Sequence, residues 1–285
     1  MHGVDMAQQV RYWVLSIVLL AISPLSFAAT SPRLADFNLA ASYTQGSVVR
    51  GVCPPEFTLY VGERQLRLGP NGEFVFGIGR DATKVDLKAI TQDQTVHNLS
   101  LAIVPRQYNL QRVNGVPSKT VTPPAEQLER IRKESALTWA ARDINSDLVD
   151  FNQAFQWPLT GPISGVYGSQ RIYNGVPKNP HYGVDIARPK GTVVVAPAGG
   201  DVRLAHKDMF FSGGTLIIDH GHGLTSTFIH LSDILVTQGQ RVAQGDPIAK
   251  VGATGRATGP HLDWRMNWFT ERVDPQTLVG PMPQH

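Results

Sequence analysis

Residues 213–231 read GGTLIIDHGHGLTSTFIHL. Two β-branched, apolar runs face each other across Asp219-His220-Gly221-His222-Gly223, and glycines at that point supply the turn conformations a hairpin needs. The stretch therefore predicts two antiparallel strands, not a helix. The pattern continues on both sides. TVVVAPAGGDVRLA (192–205) and GQRVAQGDPIAKVG (239–252) are also short apolar runs closed by Gly and Pro. Strands that follow one another without intervening helices form antiparallel sheets, and these bury one face against a second layer. Residues 155–276 are accordingly predicted to form an antiparallel β-sandwich.

The rest of the chain divides around that unit. VVRGV, FTLYV, RQLRL and EFVFGI lie between turns at Cys53-Pro54-Pro55, Gly69-Pro70-Asn71-Gly72 and Gly79. They predict a small accessory β-sandwich over 29–105. Residues 106–154 read as a linker that begins with a polar connection. Thr122-Pro123 then offers an N-cap and a proline at the first helical position. AEQLERIRKESALTWAARDINSDLVDF (125–151) runs on without Gly or Pro, with Glu129 and Lys133 spaced to pair. This segment is a helix, one long or two short, that separates the β regions or lies over a groove. Residues 277–285 are a tail. The overall class is mainly β.

WVLSIVLLAI (13–22), after Arg11 and before Ser26-Phe27-Ala28, reads as a secretory signal peptide over 1–28. It is too short to span a bilayer and Pro24 ends it, so no stable membrane span is expected after cleavage. The expected location is periplasmic or secreted. Net charge is +3, with no dense basic run, which excludes a nucleic-acid partner. Cys53 is the only cysteine, so no internal disulfide forms; it reads as a buried residue beside a turn.

Histidines and carboxylates carry the chemistry. In NPHYGVDIARP (179–189), His181 and Asp185 are four apart on extended chain and share a strand face. In TGPHLDWRM (258–266), His261 and Asp263 share a face in the same way. His230 ends an apolar strand, where a structural histidine is less expected. His220 and His222 look like a metal pair, but they sit at a glycine-flanked hairpin tip, open to solvent and mobile, and read as loop.

These motifs, in this order, resemble the lysostaphin-type (LytM-like) zinc endopeptidases of bacterial cell walls. HYGVDIARPKGTVVVAPAGGDV resembles the family's H-x-G-x-D strand, LIIDHGHGLTSTFIHLS its hairpin and histidine-bearing strand, and GQRVAQGDPIAKVGATGRATGPHLDWRM its closing segment. The resemblance covers about Trp157 to Val273. It implies the lysostaphin-type peptidase fold, with His181 and Asp185 as zinc ligands and His230 and His261 as catalytic histidines. It also implies that Asp263 stands where the family has its third ligand, a histidine.

Carboxylate oxygen and imidazole nitrogen bond zinc at similar distances, so Asp263 is expected to serve as that ligand. The electronic cost is a weaker Lewis acid, and the harder ligand set also admits another divalent ion. The alternative is a metal-free degenerate member that binds and activates a separate cell-wall amidase. Four of the five site positions keep the family's residue and the fifth holds another ligand type, which favours the metal-bound reading. The implied substrate is peptidoglycan, cut at its peptide cross-links, of the D-alanyl–diaminopimelate kind in a Gram-negative cell. A regulatory or amidase partner accompanies the alternative. Tyr182 and Asn174 are candidate cleft-lining donors because they lie near the first metal strand.

Overall fold

The N-terminal strands alternate as their sequences require. They are β1 (Ser42–Thr44), β2 (Val48–Val52), β3 (Phe57–Val61), β4 (Arg64–Gln65), β5 (Glu73–Gly77), β6 (Lys84–Thr91) and β7 (Val96–Val104) in a computed structural model that describes residues 31–113, 125–173 and 176–283. The expected signal segment, the Thr122-Pro123 helix start and Asn174 lie outside the described residues. One sheet runs β1-β7-β6-β3-β4, and β2 pairs with β5. Leu59, Leu87, Ala89, Leu99 and Leu101 are buried, while the alternate positions Lys84, Asp86, Asn98 and Ser100 are exposed, the period-2 pattern of a half-buried sheet. Gly72 holds φ +82, and a side chain there would collide with the Cys53 carbonyl.

The connection that follows is not wholly irregular. β8 (Leu110–Val113) pairs in parallel with a strand some 60 residues on, described next. Its short polar sequence carries no strand signal of its own. A neighbouring edge recruits it, the context dependence typical of β structure.

The helix α1 is a single one, Leu128–Arg142. The Glu129–Lys133 pair forms at 2.8 Å. Leu128, Leu137 and Trp139 remain exposed; Ala141 packs with Leu204, Met209 and Ile217. One small cluster therefore docks α1 on the sheet.

The C-terminal half contains β9 (Ile163–Gly165), β10 (Gln170–Tyr173), β11 (Val176–Pro177), β12 (Val184–Ala187), β13 (Val193–Val195), β14 (Gly200–Met209), β15 (Gly213–Gly221), β16 (Leu224–Leu231), β17 (Asp233–Ile234), β18 (Arg241–Val242), β19 (Pro247–Lys250), β20 (His261–Trp268) and β21 (Glu271–Val273). The central sheet runs β18-β14-β15-β16-β20-β12-β9, with β21 added to β20. Its pairings are all antiparallel. A second layer is β13-β19-β17, and β8, β10 and β11 make a third small sheet. The fold is mainly β with sandwiched sheets, as the sequence predicts.

Register sets which side chains meet. Val184, Ile186, Leu216, Ile218, Phe228, Leu262, Trp264 and Met266 enter the core on one face. The opposite face carries Asp185, opposite Asp263, which is opposite Ile229. Behind that row come Arg265 opposite Thr227, and then Arg272 opposite Asn267 opposite Thr225.

The hairpin forms at Gly221–Leu224 as predicted, but its exposure is the reverse of the expectation. His220 and His222 are 0% and 3% exposed. Residues that follow α1 cover the turn: His222 donates its backbone N–H to Ser146 and stacks on Phe151, and a side chain at Gly221 would overlap Leu148. The first residues of the expected tail are held, with Leu278 buried and the Gly280 carbonyl accepting from Trp157 Nε1.

Candidate metal centre

Two strands bring the carboxylates together. Asp185 on β12 and Asp263 on β20 are direct cross-strand partners, and neighbouring side chains of such a pair lie about 5 Å apart. Two glycines keep the space clear. A Cβ at Gly165 would strike Asp185, and one at Gly183 would strike Asp263. Gly183 is the glycine of the H-x-G-x-D stretch, so the motif's small residue makes room for the second carboxylate.

His181 arrives from the segment before β12. Its Nε2 lies 3.0 Å from Asp185 Oδ1 and 3.4 Å from Asp263 Oδ2. All three residues present a ligating atom within 4.8 Å of one another. His181 Nε2 and Asp185 Oδ1 are both buried, yet neither has a properly directed hydrogen-bond partner. Burying such groups without a partner is costly. One imidazole and two carboxylates form a donor set that suits zinc or a harder divalent cation. The residues present therefore fit a metal ion. Burial alone would depress the His181 pKa, but the Asp185 and Asp263 carboxylates outweigh it and push it up to about 10.

Three histidines are oriented by backbone carbonyls. Nδ1 of His181 faces the Val166 oxygen at 3.4 Å, Nδ1 of His230 the Thr254 oxygen at 2.8 Å, and Nδ1 of His261 the Gly259 oxygen at 2.8 Å. An N–H on Nδ1 that points at its carbonyl turns Nε2 of each ring toward the cluster. His261 Nε2 approaches Asp185 Oδ1 at 3.9 Å, and the rings of His230 and His261 are 4.9 Å apart. Burial holds the His230 pKa below its ordinary value. His230 also sits at φ +64, a conformation uncommon for a non-glycine residue and frequent at functional sites.

His181, Asp185, His230, His261 and Asp263 are thus one group. His220 is engaged elsewhere, its ring nitrogens 2.6 Å from the Gly199 carbonyl oxygen and 2.8 Å from Ser226 Oγ. Tyr182 stacks its ring against the Arg272 guanidinium at 4.9 Å.

Arg265 is a member that sequence reasoning missed. Its Nε lies 2.9 and 3.1 Å from the two Asp263 oxygens, and its Nη2 lies 2.5 Å from Oδ2. Burial would raise the Asp263 pKa, but Arg265 and His181 outweigh it and hold the carboxyl far below the usual range. The signal was available: residue 265 shares strand parity with 263, but attention to ligand types passes over a cation.

A mainly β fold whose central sheet presents a His/Asp/Asp cluster beside two oriented histidines has the form of a metallopeptidase. Residues 179–275 match Peptidase family M23. A solved Pseudomonas aeruginosa structure assigned to peptidase M23 is 31% identical, with 83% of this chain and 95% of that one covered and a TM-score of 0.64. The peptidoglycan DD-endopeptidase ShyA of Vibrio cholerae is 40% identical over 128 residues, 44% of this chain and 29% of that protein. ShyB of the same organism is 34% identical over 147 residues, 52% of this chain and 30% of that protein. The chain belongs to peptidase family M23. Its matches span under a third of the length of those two curated relatives.

Proposed function

We propose that this chain is a zinc-dependent endopeptidase, exported from the cytoplasm, that hydrolyses peptide cross-links of bacterial peptidoglycan. The observation that carries the reading is the pair of buried atoms without directed partners, His181 Nε2 and Asp185 Oδ1, converging with Asp263 inside the M23-matched region. The names of ShyA and ShyB support the substrate class. No helix among the described residues is long and apolar enough to cross a membrane.

His181, Asp185 and Asp263 would hold the ion. A divalent ion bound there supplies Lewis acidity toward the scissile carbonyl and makes water more acidic. The chain's own groups do the rest. His230, kept neutral by burial, takes a proton from the attacking water through Nε2. His261, once protonated on both ring nitrogens, donates Nε2–H to the oxygen that gains negative charge as the carbonyl becomes tetrahedral. The Thr254 and Gly259 carbonyls accept from Nδ1 and so turn Nε2 of both rings toward these tasks.

One observation favours the alternative, a metal-free member that activates a separate amidase: Arg265 already places a cation on Asp263. Metal analysis of the mature protein, paired with digestion of purified sacculi, separates the readings. The peptidase reading expects stoichiometric divalent metal and released muropeptides. It also expects His230→Ala and His261→Ala to keep the metal and lose hydrolysis. A metal-free parent that digests nothing and stimulates an amidase sinks it.

A further inference from the structure

Where the accessory strands meet the central sheet lies a cleft of about 670 Å³, with Tyr182 and Arg272 in its wall. Its charged lining is mostly self-satisfied. Arg80 pairs with Asp81 at 2.6 Å, and Lys84 pairs with Asp86 at 2.6 Å. Glu271, the neighbour of Arg272 on the strand, leaves the backbone on the other side, and its carboxylate lies against Gly79 at the cleft wall. Among the cations Arg272 is the exception. Its guanidinium makes neither an ion pair nor a hydrogen bond among the described residues, and it lies over the Tyr182 ring.

Arg272 is half-buried, and like charge crowds it. Burial lowers the Arg272 pKa and Arg265 lowers it further. Asn267, its cross-strand partner, is fully buried with both amide atoms unpartnered. Arg142, buried against Thr227, adds a further cation nearby. A stacked guanidinium keeps its hydrogen-bonding edge free, and that edge matches a carboxylate with two parallel bonds. Asn267, opposite Arg272, shares a face of β20 with Asp263, so an anion on this edge lies on the face that carries the metal centre.

We propose that Arg272, stacked on Tyr182, binds a free carboxylate of the substrate on the amine side of the scissile bond. The proposal rests on the peptidase reading above and names what that site selects. In a D-alanyl–diaminopimelate cross-link, the carbon that bears the acylated amine also carries a free carboxylate. Hydrolysis of the amide leaves that carboxylate in place, so Arg272 contributes recognition and positioning and no covalent step. An amidated diaminopimelate presents a neutral group at the same point and leaves Arg272 unpaired.

The test compares two cross-linked muropeptide dimers, one with the free carboxylate and one with its amide. The metal-loaded parent is expected to show a preference in kcat/KM of roughly tenfold or more for the free acid, the worth of one charge-assisted pair. Arg272→Met is expected to abolish the preference, and Arg272→Lys to keep part of it. A parent that cuts both dimers equally overturns the proposal while the peptidase reading stands, and that comparison does not depend on any variant folding. If the parent cuts neither dimer, the peptidase reading fails, and calorimetric binding of the same two dimers decides. Tighter binding of the free acid that is lost in Arg272→Met sustains the carboxylate site; equal binding overturns it.

Discussion

At Asp263 a carboxylate stands where the family resemblance leads one to expect an imidazole, and a guanidinium grips it from two residues away. Two histidines and one aspartate carry a charge of −1. One histidine, two aspartates and Arg265 also sum to −1. Arg265 thus offsets the extra negative charge, and the weaker Lewis acid expected from two bare carboxylates is not what this site would offer. Asp263→Ala should remove most bound metal. Asp263→His alone should also do badly, because it strands Arg265 beside a metal ion; losing one member of such a buried pair costs about 3 kcal/mol. The double variant Asp263→His, Arg265→Met should recover both stability and zinc. Denaturation midpoints and metal content of the parent, Asp263→His, Arg265→Met and the double variant give the coupling directly, and additive effects would dissolve the pairing argument. Strand parity made the pairs 181 with 185 and 261 with 263 legible in sequence, while His230 and the joining of the pairs into one site were legible only through the family resemblance. The carbonyls of Val166 and Thr254 that orient His181 and His230 were not legible, since the contributing loops meet those rings only in the folded chain.

Among the elements, the β15–β16 hairpin shows why local sequence misleads about exposure. Gly-His-Gly-Leu does form the turn, and turn chemistry is a local property. Burial is not local: it depends on the 142–151 segment crossing over the turn. Burial, with Arg67 adding to it, pushes the His222 pKa down to about 4 from the ordinary 6.5. His220 is lowered too, by burial. The folded state therefore keeps His222 neutral while the unfolded chain protonates it. Its contribution is fully present above pH 6.5 and is lost as pH falls toward 4. At pH 5 the loss amounts to about 2 kcal/mol for His222. Urea unfolding at pH 7 and pH 5 should show that drop, and His222→Leu should flatten it. An unchanged slope in the variant would place the acid sensitivity elsewhere. The strand β8 and the length of α1 escaped the sequence for a related reason: a four-residue polar strand is specified by the edge it joins, and α1 ends inside a stretch that holds no Gly or Pro.

Across the whole molecule, one core joins the accessory strands to the peptidase sheet. Phe37, Leu59, Phe76 and Leu87 belong to the same buried cluster as Phe228, Trp264 and Trp268. Phe76 meets Trp268 edge-on, and a Cβ at Gly77 would strike Val273 and Trp268. Arg106 reaches the buried Asp274 at 2.7 Å, and Arg50 donates to the Phe151 and Gln153 carbonyls. Composition and turn signals reveal two β regions but not that they share a core, because these contacts span more than 100 residues of chain. The consequence is cooperative unfolding of both regions. Cys53 supplies a probe on the accessory side: it is 2% exposed, and burial pushes its thiol pKa up to about 11, so alkylation reports opening there. Trp157, Trp264 and Trp268 report on the peptidase side. Urea curves from Cys53 labelling and tryptophan fluorescence should coincide, and Arg106→Ala should shift both together by about 3 kcal/mol, because it leaves the Asp274 carboxylate buried and unpaired. If Cys53 becomes reactive well before fluorescence changes, the accessory strands form a separate folding unit, and the cleft that holds Arg272 opens without unfolding of the peptidase sheet.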